Sequence, residues 1–328
     1  MAPRLTVTIE SWPVAGSFTI SRGSVSEVVV VVATIEDGGH VGRGECRPYP
    51  RYGETPEGVK SAIEAHAPAI AGGLTRNDLQ MLLPAGAARN ALDAALWDLH
   101  AKKTGTPAWR TAGLDGLKPL TTVYTISLDS AEKMAEAAAR AAHRPLLKIK
   151  LGGPEGDIER LEAIRAAAPH TRLVVDANEG WHHGQLADCL DAARRLDVEM
   201  VEQPLPAGED AMLSDIAHPV PICADESAHD LATLEHLIGR YDIANIKLDK
   251  TGGLTEALAM KAAARHAGLK IFVGCMLSTS LSMAPAFLAA QDADYVDLDG
   301  PLLLARDRDP GLVFDGSVIA PPSPALWG

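Results

Sequence analysis

One pattern limits this chain's fold more than any other: apolar runs of strand type that end on a charged residue, repeated at a nearly fixed interval. Arg172-Leu-Val-Val-Asp176 stops on a carboxylate and is followed at once by the break-prone Asn-Glu-Gly. Val198-Glu-Met-Val-Glu202 and Val220-Pro-Ile-Cys-Ala-Asp225 end in the same way, whereas Ile243-Ala-Asn-Ile-Lys247 ends on a lysine and Pro145-Leu-Leu-Lys148-Ile-Lys150 on two. From Lys150 the steps are 26 residues to Asp176, 26 to Glu202, 23 to Asp225 and 22 to Lys247. One strand, one helix and two loops take roughly 25 residues. Helical stretches such as Asp157 to Ala168 and Gly184 to Leu196 fill the intervals, so the repeating unit is βα.

Repeated βα units call for parallel strands, and eight of them close into a barrel. Eight candidates can be counted: 121–124, 146–150, 173–176, 199–202, 221–224, 244–247, 271–274 and 295–298. In such a barrel the C-terminal strand ends share one face, where active sites sit. Lys148, Lys150, Asp176, Glu202, Asp225 and Lys247 would then ring one mouth. Strand alternation points both strand-2 lysines the same way, and strand 6 lies across the barrel from them.

The first ~110 residues depart from this beat. Alternation in Leu5 to Glu10, the valine-rich Val25 to Glu36 and His40 to Glu45 predict an antiparallel meander of three strands, followed by helices over 56–71 and 87–103. We therefore expect an α+β domain at 1–115, a barrel at 116–304, and a segment at 305–328 that returns to the first domain. Two loop-like stretches, Thr19 to Gly23 and Arg47 to Gly53, carry arginines and could join strands or reach over a neighbouring site.

Composition narrows the function classes. The net charge of −13 argues against nucleic-acid and anionic-membrane partners. The longest apolar run, Val28 to Thr34, is too short to span a bilayer, and the N-terminus lacks a signal-peptide layout, so a cytoplasmic location is expected. The four cysteines, Cys46, Cys189, Cys223 and Cys275, form no C-x-x-C pair, which predicts neither a disulfide framework nor a zinc cluster. The adjacent pair His182-His183 is read as surface.

Three carboxylates brought together repel one another unless a cation sits among them, and an all-oxygen set suits a hard divalent ion, Mg²⁺. Such an ion acidifies the α-proton of a bound carboxylate by stabilising the enediolate left behind. Lysines on either side can take and return that proton. A base on each face is what two-base epimerisation requires.

Lys148-Ile-Lys150, Asp176-Ala-Asn178, Val201-Glu202-Gln-Pro, Ala224-Asp225-Glu-Ser and Asn245-Ile-Lys247, in this order, resemble the enolase superfamily in its muconate-lactonizing subgroup. A Lys or His base with Mg²⁺ is the general pattern of enolase-superfamily sites. The resemblance covers nearly the whole chain and implies an α/β fold: a (β/α)7β modified TIM barrel with an N-terminal α+β capping domain. It implies Lys150 and Lys247 as the acid/base pair, Lys148 on the substrate carboxylate, and one Mg²⁺ per subunit on Asp176, Glu202 and Asp225. Asp297-Leu-Asp299-Gly-Pro resembles the Asp-x-Asp motif of dipeptide epimerases, whose carboxylates hold the substrate ammonium. Arg22, in Ser-Arg-Gly, matches an arginine that contacts a glutamate side chain of the substrate. Thr125 and Cys275, just past strands 1 and 7, are expected to line the pocket.

The resemblance thus points to an isomerase interconverting L-Ala-L-Glu and L-Ala-D-Glu, suited to recycling murein peptides from the cell wall. It acts on a small dipeptide, with neither nucleic acid nor membrane as partner, and leaves a homo-oligomer open. The alternatives are o-succinylbenzoate synthase, N-acylamino-acid racemase or a cycloisomerase of the same superfamily, and a non-catalytic metal-binding barrel. One departure from the family pattern is Asp249, where a neutral residue is expected; its charge either alters the pocket or faces a helix.

Overall fold

The computed structural model describes residues 2–153 and 155–328. The chain opens with an antiparallel meander of β1 (Arg4–Ile20), β2 (Gly23–Asp37) and β3 (His40–Cys46). The valine run in β2 is buried on both faces: Val28, Val30 and Val32 join the core shared with the barrel, and Val31, Ala33 and Ile35 pack under the cap helices. That double burial accounts for an apolar run where a half-exposed strand would alternate. Pairing of β1 with β2 shifts between Pro13 and Phe18. At that break Val14 bridges to Leu304 and the Pro13 carbonyl accepts the Ala305 N–H at 2.8 Å, so the strand bonds to the segment leaving the barrel.

Four helices complete the cap: α1 (Pro56–Glu64), α2 (Ala67–Ala71), α3 (Arg76–Leu82) and α4 (Ala87–Thr104). The expected 56–71 helix is interrupted at Ala65-His66, and Pro68 lies in the first turn of α2. The additional helix α3 starts on a Thr75/Asp78 capping box. α4 lies directly on β3 because Gly42 and Gly44 have no side chain; a Cβ on Gly44 would fall 2.1 Å from the Ala91 carbonyl oxygen.

After α5 (Ala108–Thr111) the chain makes a short edge, β4 (Leu120–Thr121), and enters the barrel. The barrel runs β5 (Tyr124–Ile126), α6 (Ala131–Ala141), β6 (Leu146–Lys150), α7 (Asp157–Ala167), β7 (Arg172–Asp176), α8 (His183–Arg195), β8 (Val198–Glu202) and β9 (Ile222–Ala224). It continues through α9 (Leu234–Leu237), β10 (Ile243–Ile246), α10 (Leu248–Thr251), α11 (Leu254–His266), β11 (Lys270–Val273), α12 (Ser280–Ala289) and β12 (Tyr295–Val296). The eight strands β5 to β12 form one parallel sheet in sequence order, and the Val123 N–H donates to the Val296 carbonyl at 2.9 Å across the seam between first and last. The fold is the expected (β/α)7β barrel with an α+β cap.

Two details of the barrel also differ from the sequence reading. The first barrel strand lies at 124–126 rather than 121–124, because Leu120-Thr121 pairs with β14 (Val318–Ile319) of a hairpin with β13 (Phe314–Asp315). The crossover from β8 to β9 carries a 3-10 turn, Ala211–Asp215, in place of an α-helix. Residues 323–328 reach the cap, where Trp327 Nε1 donates to the Ala94 carbonyl at 3.0 Å and the Gly328 N–H to Asp98 at 2.8 Å.

Inside the barrel, Val123, Leu146, Val174, Met200, Cys223, Ile243 and Phe272 form a closed apolar plug. A filled interior leaves only the ends of the barrel for chemistry. Among the described residues no helix is long and apolar enough to cross a membrane.

Candidate active site

Register brings the charged strand ends to one level. Lys150 pairs across the sheet with Asp176, and Asp176 with Glu202, while Cys223 opposite Glu202 sets Asp225 two residues further on. All three carboxylates are buried, and one oxygen from each lies within 4.8 Å of the others. Four lysines face them. Lys150 Nζ donates to Asp176 at 2.6 Å, and Lys148 Nζ lies 2.6 Å from Glu202 and 2.8 Å from Asp297. Across the mouth, Lys247 Nζ donates to Asp225 at 2.6 Å. The ring expected from the strand ends is therefore assembled, with Lys150 and Lys247 on opposite sides of the carboxylates.

The electrostatics follow from burial and proximity. Burial works to lower the Lys148 ammonium, but Asp297, Glu202 and Asp176 together hold it well above its ordinary value. Lys247 behaves alike: burial lowers it, and Asp225, Glu202 and Glu226 together hold it well above its ordinary value. Burial works to raise Asp176 and Asp225, but Lys150 with Lys148, and Lys247 with Lys250, pull them below the usual carboxylate range. Glu202 is pushed up to about 8 by burial and by Asp176, against the pull of Lys148. Its Oε2 meets the Lys148 ammonium at 2.6 Å, and Asn245 Nδ2 donates to its Oε1 at 2.7 Å. Three buried carboxylates that need several cations at once form a donor set of oxygen atoms alone, which fits a hard divalent cation.

The remaining expected residues lie on the same mouth or over it. Asp297 and Asp299 follow β12, and Asp299 accepts the backbone N–H of Thr125 at 2.7 Å. Burial and Asp297 push Asp299 up to about 7. Thr125 lies within the first strand rather than past it, and it lines the small cavity of the mouth as expected. Cys275 lines the same cavity, which holds about 30 Å³ among Phe18, the lysines and Asp297. That is on the scale of a few water molecules at most.

Arg22 sits at the tip of the β1–β2 hairpin. Its Nη2 lies 2.8 Å from Glu226 and donates to the Tyr49 hydroxyl at 3.1 Å, while Nη1 donates to the Asn178 carbonyl at 3.0 Å and lies 3.2 Å from Glu179. Arg51, in the second arginine loop, grips Glu179 with two bonds of 2.7 Å, and the Ala207 N–H donates to it at 2.8 Å. Both arginine loops therefore reach over the mouth. His182 caps α8 by accepting the Gly184 N–H, on the surface as expected.

Three neighbours escaped the sequence reading. Lys250, which follows the strand ending on Lys247, is on α10, fully buried, and donates to Asp225 Oδ1 at 2.6 Å, to the Asp225 carbonyl, and to the Asn245 carbonyl at 3.0 Å. Its signal was its place three residues past Lys247, one helical turn onward. Glu226 follows Asp225 directly and is pushed up to about 7 by burial and Asp225, against Arg22. Gln203, beside Glu202, accepts the Asp225 N–H at 2.8 Å and so ties two carboxylate strands together. Asp249 faces the cap: its Oδ1 accepts Asn90 Nδ2 at 2.8 Å and the Arg47 N–H at 3.1 Å.

Comparison with known proteins agrees with this geometry. A family model described as mandelate racemase / muconate lactonizing enzyme, N-terminal domain, matches residues 3–113, and one described as enolase C-terminal domain-like matches 130–324. The chain is 47% identical to an L-Ala-D/L-Glu epimerase of Escherichia coli (strain K12) over 93% of its length and 95% of the relative's. It is 42% identical to an N-acetyl-D-glutamate racemase of Pseudoalteromonas, covering 91% and 95%. A crystal structure of an enolase family member from Agrobacterium tumefaciens, with homology to dipeptide epimerases and with bound sodium and L-Ala-L-Glu, superposes with a TM-score of 0.98 at 56% identity, covering 99% of this chain and 100% of that one. The chain belongs to the enolase superfamily, carrying the N-terminal domain of the mandelate racemase / muconate lactonizing enzymes.

Proposed function

We propose that the chain is a Mg²⁺-dependent dipeptide epimerase that inverts the α-carbon of the C-terminal residue, with L-Ala-L-Glu as substrate and L-Ala-D-Glu as product. The observation that carries this reading is the placement of Lys150 and Lys247 on opposite sides of the Asp176, Glu202 and Asp225 cluster, each 2.6 Å from a carboxylate. A divalent cation on those carboxylates supplies positive charge that acidifies the α-C–H of a carboxylate substrate, and takes over the neutralisation the lysines now provide.

Lys150 and Lys247 then face the α-carbon from either side, one removing the proton as an amine and the other returning one as an ammonium. Lys148, buried among three carboxylates, is a fixed positive charge for the substrate carboxylate. Asp297 and Asp299 line the same cavity, and an ammonium with three donors suits such a carboxylate pair. Arg22 reaches down from the cap to the side chain of the reacting residue. The small cavity requires the hairpin tip to lift before a dipeptide enters.

A second reading is favoured by the likeness to an N-acetylglutamate racemase: the same proton transfer on an N-acylated glutamate, which brings no ammonium. Proton NMR in D₂O with Mg²⁺ separates them. Loss of the glutamate α-proton signal of L-Ala-L-Glu with appearance of the second diastereomer is the expected result. Exchange of N-acetyl-L-glutamate alone would replace the first reading by the second.

A further inference from the structure

We propose that Glu226 is a specificity-determining residue: its carboxylate competes with an acidic side chain of the substrate for the Arg22 guanidinium and so limits the preference for glutamate. The inference rests on the dipeptide reading and deepens it. Both terminal nitrogens of Arg22 are engaged, Nη2 by Glu226 and Tyr49 and Nη1 by Asn178 and Glu179. A guanidinium binds a carboxylate best through two parallel N–H bonds, so an incoming carboxylate has to displace a partner or share a nitrogen.

The two resident carboxylates differ in what they lose. Glu179 keeps Arg51 and the Ala207 N–H when Arg22 leaves, so its release is cheap. The Glu226 side chain is only 2% exposed, and its Oε2 has no hydrogen-bond partner among the described residues. Arg22 at 2.8 Å is its counter-charge on the cap side. If that pair breaks, a buried carboxylate is left uncompensated; if it stays, a second carboxylate must approach the first. Either route penalises glutamate relative to its neutral isostere glutamine, and specificity is the difference between the two.

The test compares kcat/KM for L-Ala-L-Glu and L-Ala-L-Gln at saturating Mg²⁺ and pH 8 in the wild-type protein and in Glu226→Gln. Removing the charge while keeping the shape should raise the Glu/Gln ratio about tenfold, through a lower KM for the acidic dipeptide, the scale of one charge-assisted hydrogen bond. Glu226→Asp, which withdraws the carboxylate from Nη2, should shift the ratio in the same direction and serves if the first variant does not fold. An unchanged or lower ratio, or equal loss on both dipeptides, overturns the inference while leaving the epimerase reading intact. No α-proton exchange by the wild-type protein on either dipeptide overturns both.

Discussion

Asp249→Asn should stabilise this protein, and most of all at neutral to alkaline pH. Asp249 is buried between α10 and the cap, and burial pushes its carboxyl from an ordinary 3.8 up to about 7, against the hydrogen bond from Asn90. A raised folded-state value for an acid means that the folded protein holds the proton more tightly than the unfolded chain. Stability therefore falls as pH rises from 3.8 to about 7, and the full cost is in force above that window. At ~1.4 kcal/mol per decade of proton affinity the cost is about 4 kcal/mol. An asparagine avoids it without losing bonds, because both donors, Asn90 Nδ2 and the Arg47 N–H, meet the same oxygen, Oδ1. For a chain of this length about 4 kcal/mol is a Tm increase of about 6 °C. Thermal unfolding followed by circular dichroism should show that gain at pH 8.5 and about a third of it at pH 5. An equal gain at both pH values, or a lower Tm at pH 8.5, would refute the claim that a buried charge is the cost.

Three further outcomes are expected. Lys150→Ala and Lys247→Ala should each lower epimerisation by at least ~10²-fold while one of them still exchanges the α-proton of a single stereoisomer with D₂O; normal epimerisation by both would remove the two-base assignment. Asp225→Asn should weaken Mg²⁺ binding by at least about tenfold in calorimetry, since it deletes one of three clustered carboxylates, and unchanged affinity would take Asp225 out of the set. Gly44→Ala should cost about 1–3 kcal/mol in denaturant unfolding, because the new methyl would lie 2.1 Å from the Ala91 carbonyl oxygen and α4 has to move off β3.

The sequence pattern carried the barrel and the charged rim because both depend on period. A strand that ends on Asp176 or Glu202 at a regular interval has one mouth to face, and in-register pairing of Lys150, Asp176 and Glu202 shows that mouth assembled. What escaped depends on partners far along the chain. The first barrel strand moved because Leu120-Thr121 answers to a hairpin nearly 200 residues later. Strand alternation stops at Lys247 and gives no place to Lys250, whereas the short helix α10 brings this third residue back onto Asp225. The α3 helix is too short for periodicity to register, and its capping box was the only local mark. Arg22 and Arg51 could be named as loop arginines, but not joined, because what joins them is a glutamate on the barrel.

That glutamate divides opening of the mouth into two stages. Glu179 holds Arg22 of the hairpin by one contact of 3.2 Å and Arg51 of the second loop by two bonds of 2.7 Å, itself anchored by the Ala207 N–H. The hairpin can therefore lift while the second loop stays down. A ligand small enough to pass under the hairpin alone then has a faster route than one that needs both loops to part.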